Sequence, residues 1–307
     1  MDTRPQISVV VPVFNGANAL RKVFSGIEDV MASIDQCFEV IFVDDGSTDE
    51  SWRLILELKR EHGLVVRGFQ LARNSGQQAA TYCGLLQARG DWVVTLDDDL
   101  QTHPREIVKL WERAQAGHAD VIYGVYLSLK HGLSHRVGTR LFRMLLRRVS
   151  PSFPDGSSFR MIRSDVLQAL PRHPGPWVFV DPVLAWRTSA VTSVVVEHGP
   201  REAGRSAYSL TTLIALAWTL LITYSTVPLR LMAAIGLASA SASFALGLYY
   251  LVRKITVGAQ VGFSASIVTT TFSSGLILLS LGILGEYISR IHSMGTGEPA
   301  FTVKATV

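Results

Sequence analysis

The chain has 307 residues, 48% hydrophobic and only 18% charged, with a formal net charge of +4. Disorder is excluded by these figures, and a mean hydropathy of +0.27 is too apolar for an ordinary soluble enzyme. Residues 1–208 hold 24 Lys+Arg and 23 Asp+Glu while residues 209–307 hold only 5 and 2, which predicts a water-soluble domain followed by a membrane segment.

In chain order, short β-branched runs alternate with longer amphipathic stretches over the first 125 residues. Ile7–Val13, Glu39–Val43, Val65–Gln70, Trp92–Leu96 and Asp120–Gly124 read as strands. Between them Ala17–Ile34, Asp49–Glu61, Gly76–Ala88 and Pro104–Ala116 read as helices, with Pro104 suited to a first turn. Such alternation implies an α/β fold with a mostly parallel sheet, whose ligands sit beyond the carboxyl ends of the strands. Loops 14–16, 44–48 and 97–101 are therefore where chemistry is expected. Leu133–Val149 reads as an amphipathic helix carrying Arg136, Arg140, Arg143, Arg147 and Arg148. It is either a solvated basic face or an interfacial helix drawn to anionic headgroups. Asp155–Arg163 is expected as a strand, Val178–Trp186 as a short helix and Val191–Val196 as the last strand.

From Leu210 the composition turns apolar. Leu210–Tyr224 is expected along the membrane surface. Leu231–Val252 has no charge over 22 positions and Ile255–Gly285 none over 31, against the roughly 20 helical residues that span a bilayer core. Two crossings are placed at 229–252 and 262–285, joined by a tight turn with Arg253, Lys254 and Gly258. Small residues at four-residue spacing (Ala234, Ala238, Ala242) suit close helix contact. Cys37 and Cys83 make neither a disulfide framework nor a zinc site and are expected as small core residues. The polar Met1–Gln6 gives no signal-peptide pattern. A near-neutral soluble part without a zinc or RNA-binding signature argues against a nucleic-acid partner.

The most informative cluster is Asp97-Asp98-Asp99 at a strand end. Three successive carboxylates repel one another, and a divalent cation is the simplest thing to hold them; a solvated acidic turn is the alternative. Asp97 and Asp99 point to one side of an extended chain, as a pair of ligands for Mg²⁺ or Mn²⁺ should, and Asp98 is expected to point away. Mg²⁺ takes one or two carboxylates and fills its shell with water and phosphate, so a phosphate-bearing substrate is implied. An acid at the end of the second strand, in Asp44-Asp45-Gly46, suits a nucleotide's ribose or base. A dehydrogenase also places an acid there, but no G-x-G-x-x-G follows the first strand and no P-loop occurs anywhere.

The segments VVVPVFNG, FVDDGSTDES, LARNSGQQAA, ARGDWVVTLDDDLQTHP and GRSAYSLTTL, followed by two spans ending GEYISRI, resemble the family 2 glycosyltransferases that load sugars onto polyprenyl phosphates. The resemblance runs over almost the whole chain. It implies a GT-A-like nucleotide-diphospho-sugar transferase domain over residues 1–208, an interfacial segment at 209–228, the transmembrane hairpin, and a cytoplasmic tail at 286–307. It also implies an inner-membrane, multi-pass enzyme with a cytoplasmic catalytic domain. The donor is a nucleotide-diphosphate sugar, the acceptor a polyprenyl (undecaprenyl) phosphate, and the product a lipid-linked monosaccharide for cell-envelope glycan or lipopolysaccharide modification. A homo-oligomer, a tetramer in relatives, is implied as well. By resemblance Asp97 and Asp99 are the D-x-D metal pair and, with Gln101, the catalytic set. Pro12, Phe14, Asn15, Asp45, Asn74 and Asp98 fall on the nucleotide-sugar side, and Arg160, Arg201, Arg205 and Ser206 on the phosphate and acceptor side. Two departures stand out. Gly16 replaces a usual glutamate, and Gly204-Arg205-Ser206-Ala207-Tyr208 stands where relatives read G-E-S-K-Y, so Arg205 is expected to supply the charge that Ala207 lacks. An inactive scaffold of the same fold and a polysaccharide synthase are the alternatives, although no Q-x-x-R-W motif is present.

Overall fold

The computed structural model describes residues 4–126, 157–197, 199, 218–219, 222–257 and 263–307. The chain divides into two compact units, one of residues 1–209 with 297–307, the other of residues 210–296. The expected basic helix at Leu133–Val149 lies outside the described residues, as do Arg201, Arg205 and Ser206.

The first unit is built on an eight-stranded sheet of order β7-β5-β6-β4-β1-β2-β3-β8. Its centre is parallel: β1 (Ile7–Val13) lies between β2 (Phe38–Asp44) and β4 (Trp92–Thr95), and β3 (Val66–Leu71) follows β2. Every residue of β1 is buried, as expected of a parallel strand covered on both faces. The helices α1 (Leu20–Ser33), α2 (Ser51–His62), α3 (Gln77–Gln87) and α4 (Ile107–Gln115) supply the cover. In α1, Leu20, Val23, Phe24, Ile27, Val30 and Met31 recur at helical spacing and form its buried stripe. It begins at Leu20, not Ala17, because the backbone of residues 15–17 is tied to the neighbouring loop. Pro104 opens a single 3₁₀ turn, Pro104–Glu106, before α4.

Beyond β4 the sheet becomes mixed. The strand β6 (Arg160–Arg163) runs antiparallel to both β4 and β5 (Val121–Tyr126), while β7 (Val191–Val196) is parallel to β5. Short helices α5 (Ser164–Gln168) and α6 (Val180–Ala185) connect them. Of the strand expected at Asp155–Arg163, only Arg160–Arg163 is a strand among the described residues. Cys83 is buried as expected, but Cys37 is exposed. In the loop before β2, its carbonyl accepts the N–H groups of Gln6 and Ile7.

Val191–Val196 is not the last strand. The segment expected as a tail ends in β8 (Val303–Thr306), antiparallel to β3. Val307 and Gly68 exchange backbone hydrogen bonds of 2.9 and 3.0 Å, and Ala72 N–H reaches Thr302 O at 2.8 Å. A Cβ at Gly68 would press on Ile55 and Val307, so glycine is what lets the C-terminus lie against this edge. The alternation Val303, Ala305, Val307 is too short and too remote from β3 for sequence periodicity to reveal the pairing.

In the second unit, α7 (Val227–Val257) and α8 (Phe263–Gly295) are long apolar helices. Val227–Thr256 and Thr269–Gly295 are each long and apolar enough to cross a membrane, and their apolar windows are not buried by protein. Leu237, Phe244 and Leu278 are about 70% exposed, surface that a lipid phase would cover. The helix α7 runs through Arg253 and Lys254, which were expected in the turn. Near the end of α8, Arg290 bonds Glu286, Thr219 O and Thr223, and Tyr287 Oη donates to Ser225 O at 2.8 Å. The motif Gly285-Glu286-Tyr287 thus anchors the helix to the segment that precedes α7.

Candidate active site

The loops after β1, β2, β3 and β4 meet at the carboxyl end of the parallel strands. The first two are laced together. Asn15 adopts φ 52°, a left-handed conformation that asparagine tolerates. Its N–H donates to Ser47 Oγ at 2.9 Å, and its Oδ1 accepts Thr48 N–H at 2.9 Å. Gly16 N–H donates to Ser51 Oγ at 3.0 Å and Ala17 N–H to Asp49 Oδ2 at 3.2 Å. The second loop is stapled to the third. Asp45 accepts Ser75 N–H at 2.7 Å on one oxygen and Gly76 N–H at 2.8 Å on the other. Burial holds the Asp45 carboxyl above its usual range, and these two N–H groups oppose that shift. Asp44, fully buried, accepts Ser47 N–H and Gln70 Nε2.

Several residues expected to meet the nucleotide therefore have structural partners. Pro12 is buried in β1 opposite Val43. Asn15 and Asp45 are engaged in holding loops, though each side-chain oxygen keeps a second lone pair. Phe14, 49% exposed, presents an aromatic face on the first loop, and Asn74 is exposed on the third.

The fourth loop carries the acids. Asp97 is gripped at both oxygens, Oδ1 by Gln77 Nε2 at 2.6 Å and Oδ2 by Ser158 Oγ at 2.5 Å. Burial holds its carboxyl well above the usual carboxylate range, with Asp99 adding to the effect and Ser158, Arg160 and Gln77 opposing it. Asp99 Oδ1 accepts Gln101 N–H at 3.1 Å, and Gln101 O accepts Gly199 N–H at 2.7 Å, which ties this loop to the segment after β7. Asp98 turns toward the first loop, where Phe14 N–H donates to its carboxylate. Burial, then Asp97 and Asp99, push the Asp98 carboxyl up to about 7. Its Oδ2 is buried and has no hydrogen-bond partner among the described residues.

Arg160, expected at a phosphate, is a buried residue at the start of β6. It is 1% exposed and ion-paired with Asp181 on α6, with its Nε 3.3 Å from Thr95 Oγ1 and its guanidinium 5.9 Å from the Tyr123 ring centroid. Tyr123 Oη donates to the same Asp181 at 3.0 Å. The antiparallel register pairs Thr95 with Arg160, and the Arg160 charge opposes the upward shift of the Asp97 carboxyl. Gln77, Ser158, Asp181 and Tyr123 were not singled out in the sequence. Gln77 and Ser158 lie inside recognisable motifs, but their bonds to Asp97 span 20 and 61 residues, and no local pattern reports them.

The donor set suits a hard divalent cation. Asp97 and Asp99 offer two carboxylates, and no group of three or more His, Cys, Asp or Glu arranged for a metal occurs among the described residues. A cation there would complete its shell with water and phosphate, the usual habit of Mg²⁺.

Known proteins resemble this chain over most of its length. Two undecaprenyl-phosphate 4-deoxy-4-formamido-L-arabinose transferases match at 34% identity. That of Pseudomonas paraeruginosa aligns over 98% of this chain and 90% of its own length. That of Pectobacterium atrosepticum aligns over 100% and 95%. Among solved structures, glucosyl-3-phosphoglycerate synthase of Mycobacterium tuberculosis in complex with Mn²⁺, UDP and phosphoglyceric acid superposes with TM-score 0.52 at 24% identity, covering 72% of this chain and 77% of that one. The same enzyme with Mn²⁺, UDP-glucose and phosphoglyceric acid gives 0.51 at 25% identity, covering 72% and 78%. The profile of glycosyl transferase family 2 matches residues 8–171, more than half the chain and all four loops of the site, and the chain belongs to that family.

Proposed function

We propose that this chain transfers a sugar from a nucleotide-diphosphate donor to a polyprenyl phosphate, undecaprenyl phosphate by the names of its relatives, for lipopolysaccharide modification. The observation that carries this reading is Asp97, held at both oxygens beside Asp99 at the carboxyl end of β4, in a chain aligned end to end with such transferases. Asp97 and Asp99 would hold Mg²⁺ or Mn²⁺, which when bound supplies positive charge to the departing diphosphate. The Mn²⁺ in the M. tuberculosis complex with UDP-glucose supports that choice. Gln77 and Ser158 orient Asp97, Gln101 closes the loop around Asp99, and Phe14 offers its face to the base. Arg201, Arg205 and Ser206 are assigned to the phosphates.

No strong general base is required. A phosphate monoester has its second pKa near about 6, so the acceptor is already largely anionic at neutral pH and attacks the anomeric carbon directly. The two long apolar helices keep the reaction at a lipid surface. In this reading they form a multi-pass hairpin in the inner membrane, residues 1–208 are cytoplasmic, and the exposed small-residue stripe of α7 packs against other copies. The test is transfer of radiolabelled sugar from a panel of nucleotide sugars to undecaprenyl phosphate, run with Mg²⁺, Mn²⁺ and EDTA. Metal-dependent labelled lipid is expected; full activity in EDTA would remove the metal assignment, and no labelled lipid with any donor would remove the function.

A further inference from the structure

Leu100 adopts φ 57° between Asp99 and Gln101. The other non-glycine residues with positive φ among the described residues are Asn15, Asp35 and His118, types that tolerate it, whereas leucine adopts it only with strain. Its side chain has no polar group to hold the turn and packs against the core. A strained residue persists only where the surrounding structure fixes the backbone around it. Ahead of it, Asp97 is bonded at both oxygens. Beyond it, residues 101–106 are fastened to the ends of β5 and β7. Gln101 O accepts Gly199 N–H at 2.7 Å, Thr102 Oγ1 lies 2.8 Å from Tyr126 Oη, and Glu106 Oε2 accepts Glu197 N–H at 3.0 Å.

Glu106 is the unusual member of this set. Its side chain is buried, although it sits in the 3₁₀ turn that opens α4. Lys109 Nζ donates to the same Oε2 at 2.7 Å, and Arg105 Nε stands 3.7 Å from Oε1 while its guanidinium also pairs with Glu197. A buried, ion-paired carboxylate gives no more stability than a well-packed apolar side chain of similar size. What Glu106 does that an apolar residue could not is accept a backbone N–H from the exit of β7.

We infer that Glu106 is a positioning residue: it clamps the exit of β7 to the turn after the acids, and so keeps Leu100 left-handed and Asp99 in place as a cation ligand. This rests on the metal assignment within the transferase reading and adds to it a buried residue outside the acidic loop.

The experiment uses the full chain in detergent, with Glu106→Ala, Glu106→Gln, Glu106→Ala combined with Leu100→Gly, and Glu39→Ala as a control. Glu39 is a second buried carboxylate, bonded to Ser8, Arg67 and Arg89 N–H at the amino ends of the parallel strands, away from the acids. Three quantities are read: amide hydrogen exchange over residues 97–106 without metal, Mn²⁺ affinity by electron paramagnetic resonance, and melting temperature. Glu106→Ala should speed exchange in the loop and weaken Mn²⁺ binding roughly tenfold. Glu106→Gln, whose amide oxygen still accepts Glu197 N–H, should stay within about threefold of wild type. Leu100→Gly frees the left-handed turn of strain, so adding it to Glu106→Ala should recover most of the Mn²⁺ affinity. Glu39→Ala should melt lower with Mn²⁺ affinity unchanged. Should Glu106→Ala fail to fold, Tyr126→Phe opens the Thr102 contact alone and should weaken Mn²⁺ binding in the same direction. A Glu106→Ala protein that melts lower with wild-type exchange and Mn²⁺ affinity would make the residue purely structural and overturn the inference. So would an equal loss of affinity in Glu39→Ala, or a Leu100→Gly substitution that recovers none of it. Wild-type protein that binds no Mn²⁺ would remove the metal assignment together with this inference, whereas wild-type binding that Glu106→Ala leaves intact removes this inference alone.

Discussion

Asp97 and Asp99 differ in how they are held, and that difference predicts their variants. Asp97 depends on Gln77 and Ser158, Asp99 on the turn through Leu100 at φ 57° to Gln101. Asp97→Asn and Asp99→Asn keep the shape and remove charge, so each should lower transfer by about 10²–10³-fold, while Asp98→Asn should move the donor KM more than kcat. Wild-type rates in Asp99→Asn would contradict the metal pair. Among the described residues Arg160 is one of the largest fully buried side chains, and its charge is answered by Asp181. Removing one partner of a buried pair leaves an uncompensated charge and costs about 3–5 kcal/mol. Asp181→Ala should therefore lower the melting temperature by several degrees and loosen Asp97 through Ser158. An unchanged melt would show that water already satisfies Arg160.

Among the elements, β8 is the one that no local pattern reveals. It covers the edge of β3, and unpaired edges of this kind invite association between chains. The strand also reaches Ala72, where the third loop departs, and Ala300 N–H bonds Pro174 O at 3.3 Å. Deleting residues 300–307 removes these pairings. Each kcal/mol lost from a unit of this size lowers Tm by about 2–4 °C, so a fall of roughly 5–10 °C is expected by differential scanning fluorimetry. The truncated protein should also aggregate more readily in size-exclusion chromatography. A truncation with wild-type Tm would show that β3 needs no cover. The other elements were legible because their patterns are local. β1, β2 and β3 are each within one residue of expectation at either end, and α2 and α3 within two, since period 2 and period 3.6 are carried by adjacent side chains.

For the molecule as a whole, β8 sets a condition on any membrane crossing. Residues 297–307 belong to the same folded unit as residues 1–209, so the chain between them must leave and return on one side. If α7 and α8 span the bilayer, they do so as a pair. The native thiols offer a direct check. Cys37 is exposed on the first unit, whereas Cys83 is buried and burial pushes its thiol up to about 12, so it should stay unreactive. In spheroplasts, an impermeant maleimide should label a cysteine placed at Gly258 but reach Cys37 only after permeabilisation. Labelling of both in intact spheroplasts would place the catalytic unit outside the membrane.

What the amino-acid sequence determined by itself was everything written in short-range order: the strand–helix alternation, the drop in charge after residue 208, the acids at a strand end and the motifs that place the chain in its family. Each depends on neighbours in the chain, on periodicity or on spacing within a loop. What only the tertiary structure decided was the set of partners those residues find. Asp45 staples a loop 30 residues away, Arg160 turns inward to Asp181, Asp98 occupies the space beside Gly16, and the last residues return to the edge of β3. These pairings join segments brought together by burial of the sheet, and hydrogen bonds across such distances leave no periodic trace in the sequence because folding alone brings the partners within reach.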